Sequence, residues 1–180
     1  EPPNGARPRP PTILGLVRPR GFGAAPFGGV PQEAARPRRR GAVLIAAGRI
    51  LAVDEADKLR TAHPSAQVIV HGDALLSAGF VGAHVHYPQA AIIASWGKQL
   101  IDWLNTYTFP EEARFGDEAY AADVAGRTLD LALAHGTTTL TSFCTIHPAS
   151  VDAFFLAAAQ RDMAVIAGKT CMDRNAPDDL

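Results

Sequence analysis

From residue 79 onward the chain alternates apolar or β-branched runs with helical stretches. Residues 79–85, 137–144 and 163–171 read as strands, and residues 117–135 and 150–162 read as helices. Asp117 is placed to cap the first helix and Gly136 to end it, and Pro148 stands just ahead of the second. Parallel neighbours need a crossover between them, and a helix is the usual one. Strand, helix, strand, helix, strand therefore confines residues 78–180 to the start of a parallel α/β sheet or barrel.

A different texture precedes it. Residues 42–45 and 50–53 flank Gly48-Arg49 as a hairpin would, residues 54–62 give one helical turn or two, and residues 67–70 and 74–76 add short strands. Residues 41–77 thus form a small, mostly β unit. Residues 1–40 are rich in Pro, Gly and Arg, with a possible short strand at 12–17. They hold eight Arg against Glu1 and Glu33, whereas residues 41–180 hold nine basic against sixteen acidic residues. A basic arm can attract nucleic acid. This one has no lysine, and its only aromatics are Phe22 and Phe27, so a solvated irregular arm is expected instead.

Cys144 and Cys171 are the only cysteines, 27 positions apart and in strand-like runs, which predicts two buried free thiols and a reducing, cytoplasmic setting. No secretory signal is visible in the first 40 residues, and the longest apolar run is too short to span a bilayer. The chain starts with Glu and stops at Leu180 without a closing element, which reads as an incomplete fragment.

The chemistry is expected at the strand ends, because in such sheets and barrels functional residues gather where strands finish. Three ends open on one rim: His84-Val85-His86, then Thr145-Ile146-His147, then Asp173-Arg174-Asn175. Histidines two apart on an extended segment point to the same side, and Val85 then faces the other way, into packing. Two imidazoles so placed can converge on one metal ion. An isolated H-x-H is equally well a strand end with two ordinary hydrogen-bonded histidines. His147, ahead of Pro148, reads as a helix-capping or supporting residue, and Asp173 and Arg174 as an ion pair on the rim. Cys144 to Cys171 holds no C-x-x-C, and the H-x-E with P-C-x-x-C of the compact zinc deaminases is absent.

Longer stretches carry a resemblance. His84-Val85-His86-Tyr87-Pro88-Gln89, the block Trp103-Leu104-Asn105-Thr106-Tyr107-Thr108-Phe109-Pro110-Glu111, Gly136-Thr137-Thr138-Thr139, Thr145-Ile146-His147-Pro148 and Met172-Asp173-Arg174-Asn175-Ala176-Pro177 resemble the guanine deaminases of the amidohydrolase superfamily. The resemblance covers residues 41–180. Where that superfamily has Pro-Gly-Phe and an acid two positions before the first histidine, this chain has Ala78-Gly79-Phe80 and Gly82.

The resemblance implies an α/β fold: the N-terminal part of a (β/α)8 TIM-type barrel over residues 78–180, preceded at 41–77 by part of a small β-sandwich. It implies one zinc ion, held here by His84 and His86, with the remaining ligands and the proton-shuttling glutamate expected beyond Leu180. Gln89 maps to a substrate-binding position. The activity implied is hydrolysis of guanine to xanthine and ammonia by a homodimer, with this stretch inactive alone because catalytic zinc usually has three protein ligands. Two alternatives stand beside it. One is a sister amidohydrolase acting on another heterocycle, such as a triazine or pyrimidine. The other is a non-catalytic paralogue that uses its basic arm to bind nucleic acid or another anionic partner. Trp103, Tyr107 and Phe109 are expected to pack their loop onto the body, and Glu111-Glu112 to open a helix.

Overall fold

In the computed structural model, residues 11–15 and 41–180 are described, apart from 73, 98, 175, 178 and 179. The rest of the 1–40 arm, including positions 16 and 17 of the possible first strand, lies outside the described residues. Contacts divide the chain into two units, 1–77 and 78–180.

The first unit is a four-stranded sheet in the order β3-β2-β1-β4, with β1 at Thr12–Gly15, β2 at Gly41–Ala46, β3 at Arg49–Glu55 and β4 at Gln67–Val70. β2 and β3 form the expected hairpin. Its turn falls on Ala47 and Gly48, both at positive φ (49° and 74°), one residue earlier than the Gly48-Arg49 of the sequence reading. Two residues in that conformation match the twist of paired strands. β1 lies inside the sheet, antiparallel to β2 and parallel to β4. Helix α1, Ala56–Ala62, buries Leu59 against Ile13, Ala42 and Leu44.

Residues 74–76 form no strand. The Ala74 amide donates to the His71 carbonyl at 3.2 Å, with Gly72 at φ 64°, so the segment begins in a turn and takes no strand partner among the described residues.

The second unit carries a three-stranded parallel sheet in the order β5-β6-β7: β5 at Phe80–His86, β6 at Thr137–Phe143 and β7 at Ala164–Gly168. α4, Glu118–Ala134, connects β5 to β6, and α5, Pro148–Gln160, connects β6 to β7. These are the opening strands and helices of a (β/α)8 barrel. Both helix boundaries have local causes. Asp117 Oδ1 accepts from the amides of Ala119 (2.8 Å) and Tyr120 (3.3 Å). Gly136, at φ 80°, ends α4 in the left-handed conformation that glycine adopts without strain.

The core lies between the helices and one face of the sheet. Leu129 and Val124 of α4, Phe154 and Ala157 of α5 and Leu140 of β6 are buried in it, with Phe115 and Tyr87. Small residues on α5 let it approach α4, and Arg161 clasps Asp130 across the two, Nε to Oδ1 at 2.7 Å and a terminal nitrogen to Oδ2 at 2.9 Å. Among the described residues no helix is long and apolar enough to cross a membrane.

The connection from β5 to α4 contains far more helix than a long loop. A 3-10 turn at Tyr87–Ile92 follows β5 directly, then α2 at Leu100–Trp103, a π-helical turn at Leu104–Thr108, α3 at Phe109–Ala113 and a 3-10 turn at Arg114–Gly116. The helix widens just before Pro110, whose nitrogen has no hydrogen to give. Trp103 ties the segment to itself, donating from Nε1 to the Ser95 carbonyl at 3.1 Å.

Candidate functional site

Because the three strands are parallel, their C-terminal ends share one edge of the sheet. His84 and His86 stand at that edge of β5. Their orientation depends on an irregularity. Gly82 pairs with Leu140 and Val85 with Ser142, three steps on β5 against two on β6, so β5 carries one extra residue. Leu140 and Ser142 are buried, and Val85 packs against the core under the helices. With Val85 on the helix side, both imidazoles take the opposite face.

There the two rings lie 5.3 Å apart, centre to centre, and tilted by 58°. Phe143, the last residue of β6, touches both: its ring is 5.4 Å from that of His84, edge-on, and 4.9 Å from that of His86, stacked. Burial, and then the neighbouring His84, hold His86 below the ordinary imidazole pKa, which favours the neutral ring with one nitrogen free to donate its lone pair. Two imidazoles bound to one tetrahedral ion through bonds of ~2.0–2.1 Å would have ring centres about 5.2 Å apart. The pair therefore fits as two donors of a metal site. Among the described residues no group of three or more His, Cys, Asp or Glu is disposed to complete one.

Gln89 comes to the same place through the 3-10 turn. With three residues per turn, positions i and i+3 eclipse, so Gln89 stacks over His86, the residue that caps the turn. Its Nε2 is 3.4 Å from His86 Nδ1 and donates to Glu112 Oε1 at 3.1 Å. Burial raises the pKa of Glu112, and the hydrogen bond from Gln89 partly opposes the rise. The turn is pinned from below by Tyr87, whose amide donates to Ser142 Oγ (3.1 Å) and whose hydroxyl donates to the Ser150 carbonyl (2.6 Å). Its ring stacks on Phe154 at 4.6 Å.

Other rim residues have supporting places. His147 is the cap residue of α5, although its side chain makes no capping bond. Its carbonyl accepts from Ser150 Oγ at 2.7 Å, and its ring lies against Gly116, with Nε2 buried and unpartnered. Thr145, fully buried, hydrogen-bonds Ser150 through both its amide and its hydroxyl. Glu111 is held by Arg114 at 3.1 Å and by the Tyr120 hydroxyl, and burial together with that bond pushes Tyr120 up to about 12.

Two expectations are corrected. Asp173 and Arg174 are exposed, and among the described residues no ion pair joins them. Cys171 is exposed rather than buried, because β7 ends at Gly168, before reaching it. Asn175 lies outside the described residues. Sequence reasoning also passed over two neighbours of the site. Phe143 ends a strand whose parity could have placed it beside the histidines. Glu112 reads in sequence as a helix-dipole carboxylate, which it also is, and nothing local marks its bond to a residue 23 positions away.

Comparison with known proteins shows what the chain is similar to. The model for the amidohydrolase family matches residues 75–179, and that for an imidazolonepropionase-like composite domain of bacteria matches residues 41–66. Guanine deaminase of Escherichia coli is 49% identical over 106 residues, which are 59% of this chain and 24% of that protein. A probable guanine deaminase of Deinococcus radiodurans is 41% identical over 117 residues, 65% of this chain and 27% of that protein. The chain thus spans about a quarter of the length of these curated relatives. Among solved structures, guanine deaminase from Bradyrhizobium japonicum superposes with a TM-score of 0.82 at 32% identity, covering 95% of this chain and 37% of that one. Guanine deaminase from C. acetobutylicum, solved with guanine bound in its active site, gives 0.74 at 25% identity over 94% of this chain and 38% of that one. With its parallel strands, its paired histidines at a strand end and a family match over more than half its length, the chain belongs to the amidohydrolase family.

Proposed function

We propose that the whole protein is a zinc-dependent guanine deaminase, converting guanine and water to xanthine and ammonia, and that this stretch supplies part of its active site. The observation that carries the reading is the pair of imidazoles 5.3 Å apart at the end of β5, with Gln89 beside them. It is supported by the similarity to guanine deaminases in both sequence and structure.

In this reading His84 and His86 are two of the metal ligands. The chemistry that such an ion supplies is activation of water for hydrolysis at neutral pH. His86 contributes a neutral imidazole, and Phe143 holds both rings by packing against them. Gln89 contacts the purine with an amide that carries both donor and acceptor groups. Two ligands are too few for catalytic zinc, so residues 1–180 alone bind metal weakly and turn over no guanine. The domain division proposed is an arm at 1–40, part of a composite β-sandwich at 41–77 and the start of the barrel at 78–180. The enzyme is read as cytoplasmic and homodimeric, with a small purine rather than nucleic acid as its partner.

The test is ammonia release by the whole protein with guanine, and with triazine and pyrimidine rings in parallel, alongside metal content. Guanine turnover that a chelator abolishes, and that His84→Ala or His86→Ala removes together with the metal, is the expected result. Turnover of a triazine or pyrimidine but not guanine overturns the substrate. Undiminished metal in the double alanine variant overturns the ligands.

A further inference from the structure

Gln89 has an amide with two faces, one that donates and one that accepts, and the structure uses only one of them. Its Nε2 donates to Glu112 Oε1 at 3.1 Å, while Oε1 of Gln89 accepts nothing from the described residues and is not buried. An ionised carboxylate can only accept. The pairing with Glu112 therefore has a single polarity, with nitrogen inward and oxygen outward. Glu112 is well placed to enforce it, because its side chain is 7% exposed and sits in the first turn of α3. The backbone of Gln89 is fixed independently, by the 3-10 turn that Tyr87 ties to Ser142 and Ser150.

We propose that Glu112 is the positioning residue of the substrate site: it fixes the polarity of Gln89 so that an acceptor oxygen faces the ligand. The site then selects a heterocycle that presents an N–H, from the ring or an amino group, at that point. It disfavours one that presents only a lone pair, because two acceptors would meet with no hydrogen between them. This deepens the reading of Gln89 as a substrate contact and rests on it. Without Glu112 the amide can turn over, and a share of molecules then offers the wrong group.

The experiment is a double-mutant cycle on the whole protein loaded with zinc. The KM for guanine is measured, with kcat beside it, for the parent, Glu112→Leu, Glu112→Gln, Gln89→Ala and Gln89→Ala/Glu112→Leu, and binding losses are read from KM. Without ligand or metal, the side-chain NH2 resonances of Gln89 are followed by NMR. Glu112→Leu should weaken guanine binding about tenfold, the order of one charge-assisted hydrogen bond. In the Gln89→Ala background the same change should cost less than about twofold, because its route to the ligand is gone. Glu112→Gln keeps a carbonyl acceptor and should stay within about threefold of the parent. The Gln89 NH2 signals should move with Glu112→Leu and hold with Glu112→Gln. Should Glu112→Leu fail to fold, Glu112→Ala takes its place in the cycle.

An equal loss in both backgrounds, or Gln89 signals indifferent to Glu112→Leu, overturns the positioning role and leaves the substrate reading standing. Guanine binding unchanged by Gln89→Ala overturns the substrate reading of Gln89, and the selection proposed here falls with it.

Discussion

Leu140 fills the space beside Gly82: a Cβ at position 82 would stand 2.6 Å from Leu140 Cδ2. The two residues are register partners across β5 and β6, and Leu140, at 4% exposure, is confined by the core around it. Members of the resembling superfamily usually carry an acid at this position, and here a leucine tip takes the room. Gly82→Asp should therefore destabilise the chain by about 2 kcal/mol, within the range for overpacking. Leu140→Ala alone should also destabilise it, through a cavity. Combined, the two should cost less than the sum of their separate losses, because each relieves the other. Urea denaturation of the three variants measures this, and strict additivity within ~0.5 kcal/mol would show that the contact is soft.

The hydroxyl of Tyr87 ties the turn bearing Gln89 to the start of α5. Tyr87→Phe keeps the stack on Phe154 but leaves the Ser150 carbonyl without its donor, a loss of about 1–2 kcal/mol. Tyr87→Ala removes a side chain only 1% exposed and should cost about 3–5 kcal/mol. Denaturant midpoints should fall in that order. A phenylalanine variant as stable as the parent would show that the hydroxyl bond contributes nothing net.

The two thiols should behave as different reagents. Cys171 is exposed, while Cys144 is buried, and burial pushes its thiol up to about 11. A thiol-reactive dye should label one cysteine rapidly in the native chain and the second only in denaturant. A raised folded-state pKa stabilises the protonated form, so the contribution of Cys144 is complete below the unfolded value near 9 and fades as pH climbs to about 11. Stability measured across that interval should decline less steeply in Cys144→Ala. Equal slopes would remove Cys144 as the cause.

What could be read from the sequence was what short-range chemistry decides. Asp117 and Gly136 bracket α4 because a capping carboxylate and a left-handed glycine act within a few residues of themselves. The spacing of His84 and His86 gave their shared direction, and Val85 packs inward as alternation requires. The strand expected at 74–76 failed because strands need partners, and a partner is a property of the sheet rather than of the run. The extra residue in β5 was invisible for the same reason: a bulge exists only against the strand beside it. Glu112 and Phe143 reach the histidine end of β5 through long crossovers, and no local pattern foretells that meeting. Cys171 misled because its apolar neighbours look like strand while β7 has already stopped.

The bulge in β5 makes odd and even matter. Upstream of it Gly82 faces the helices; downstream, so does Val85, and an uninterrupted count of two would have sent His84 and His86 to that side as well. Deleting Ala83 would remove the extra residue, match two steps on β5 to two on β6, and leave Val85 and both imidazoles facing as they do. Pairing the same residues without the bulge would instead press two polar rings into oil and lift a valine into the mouth of the sheet. The facing of the pair is thus set by parity along β5 together with the single residue that interrupts it.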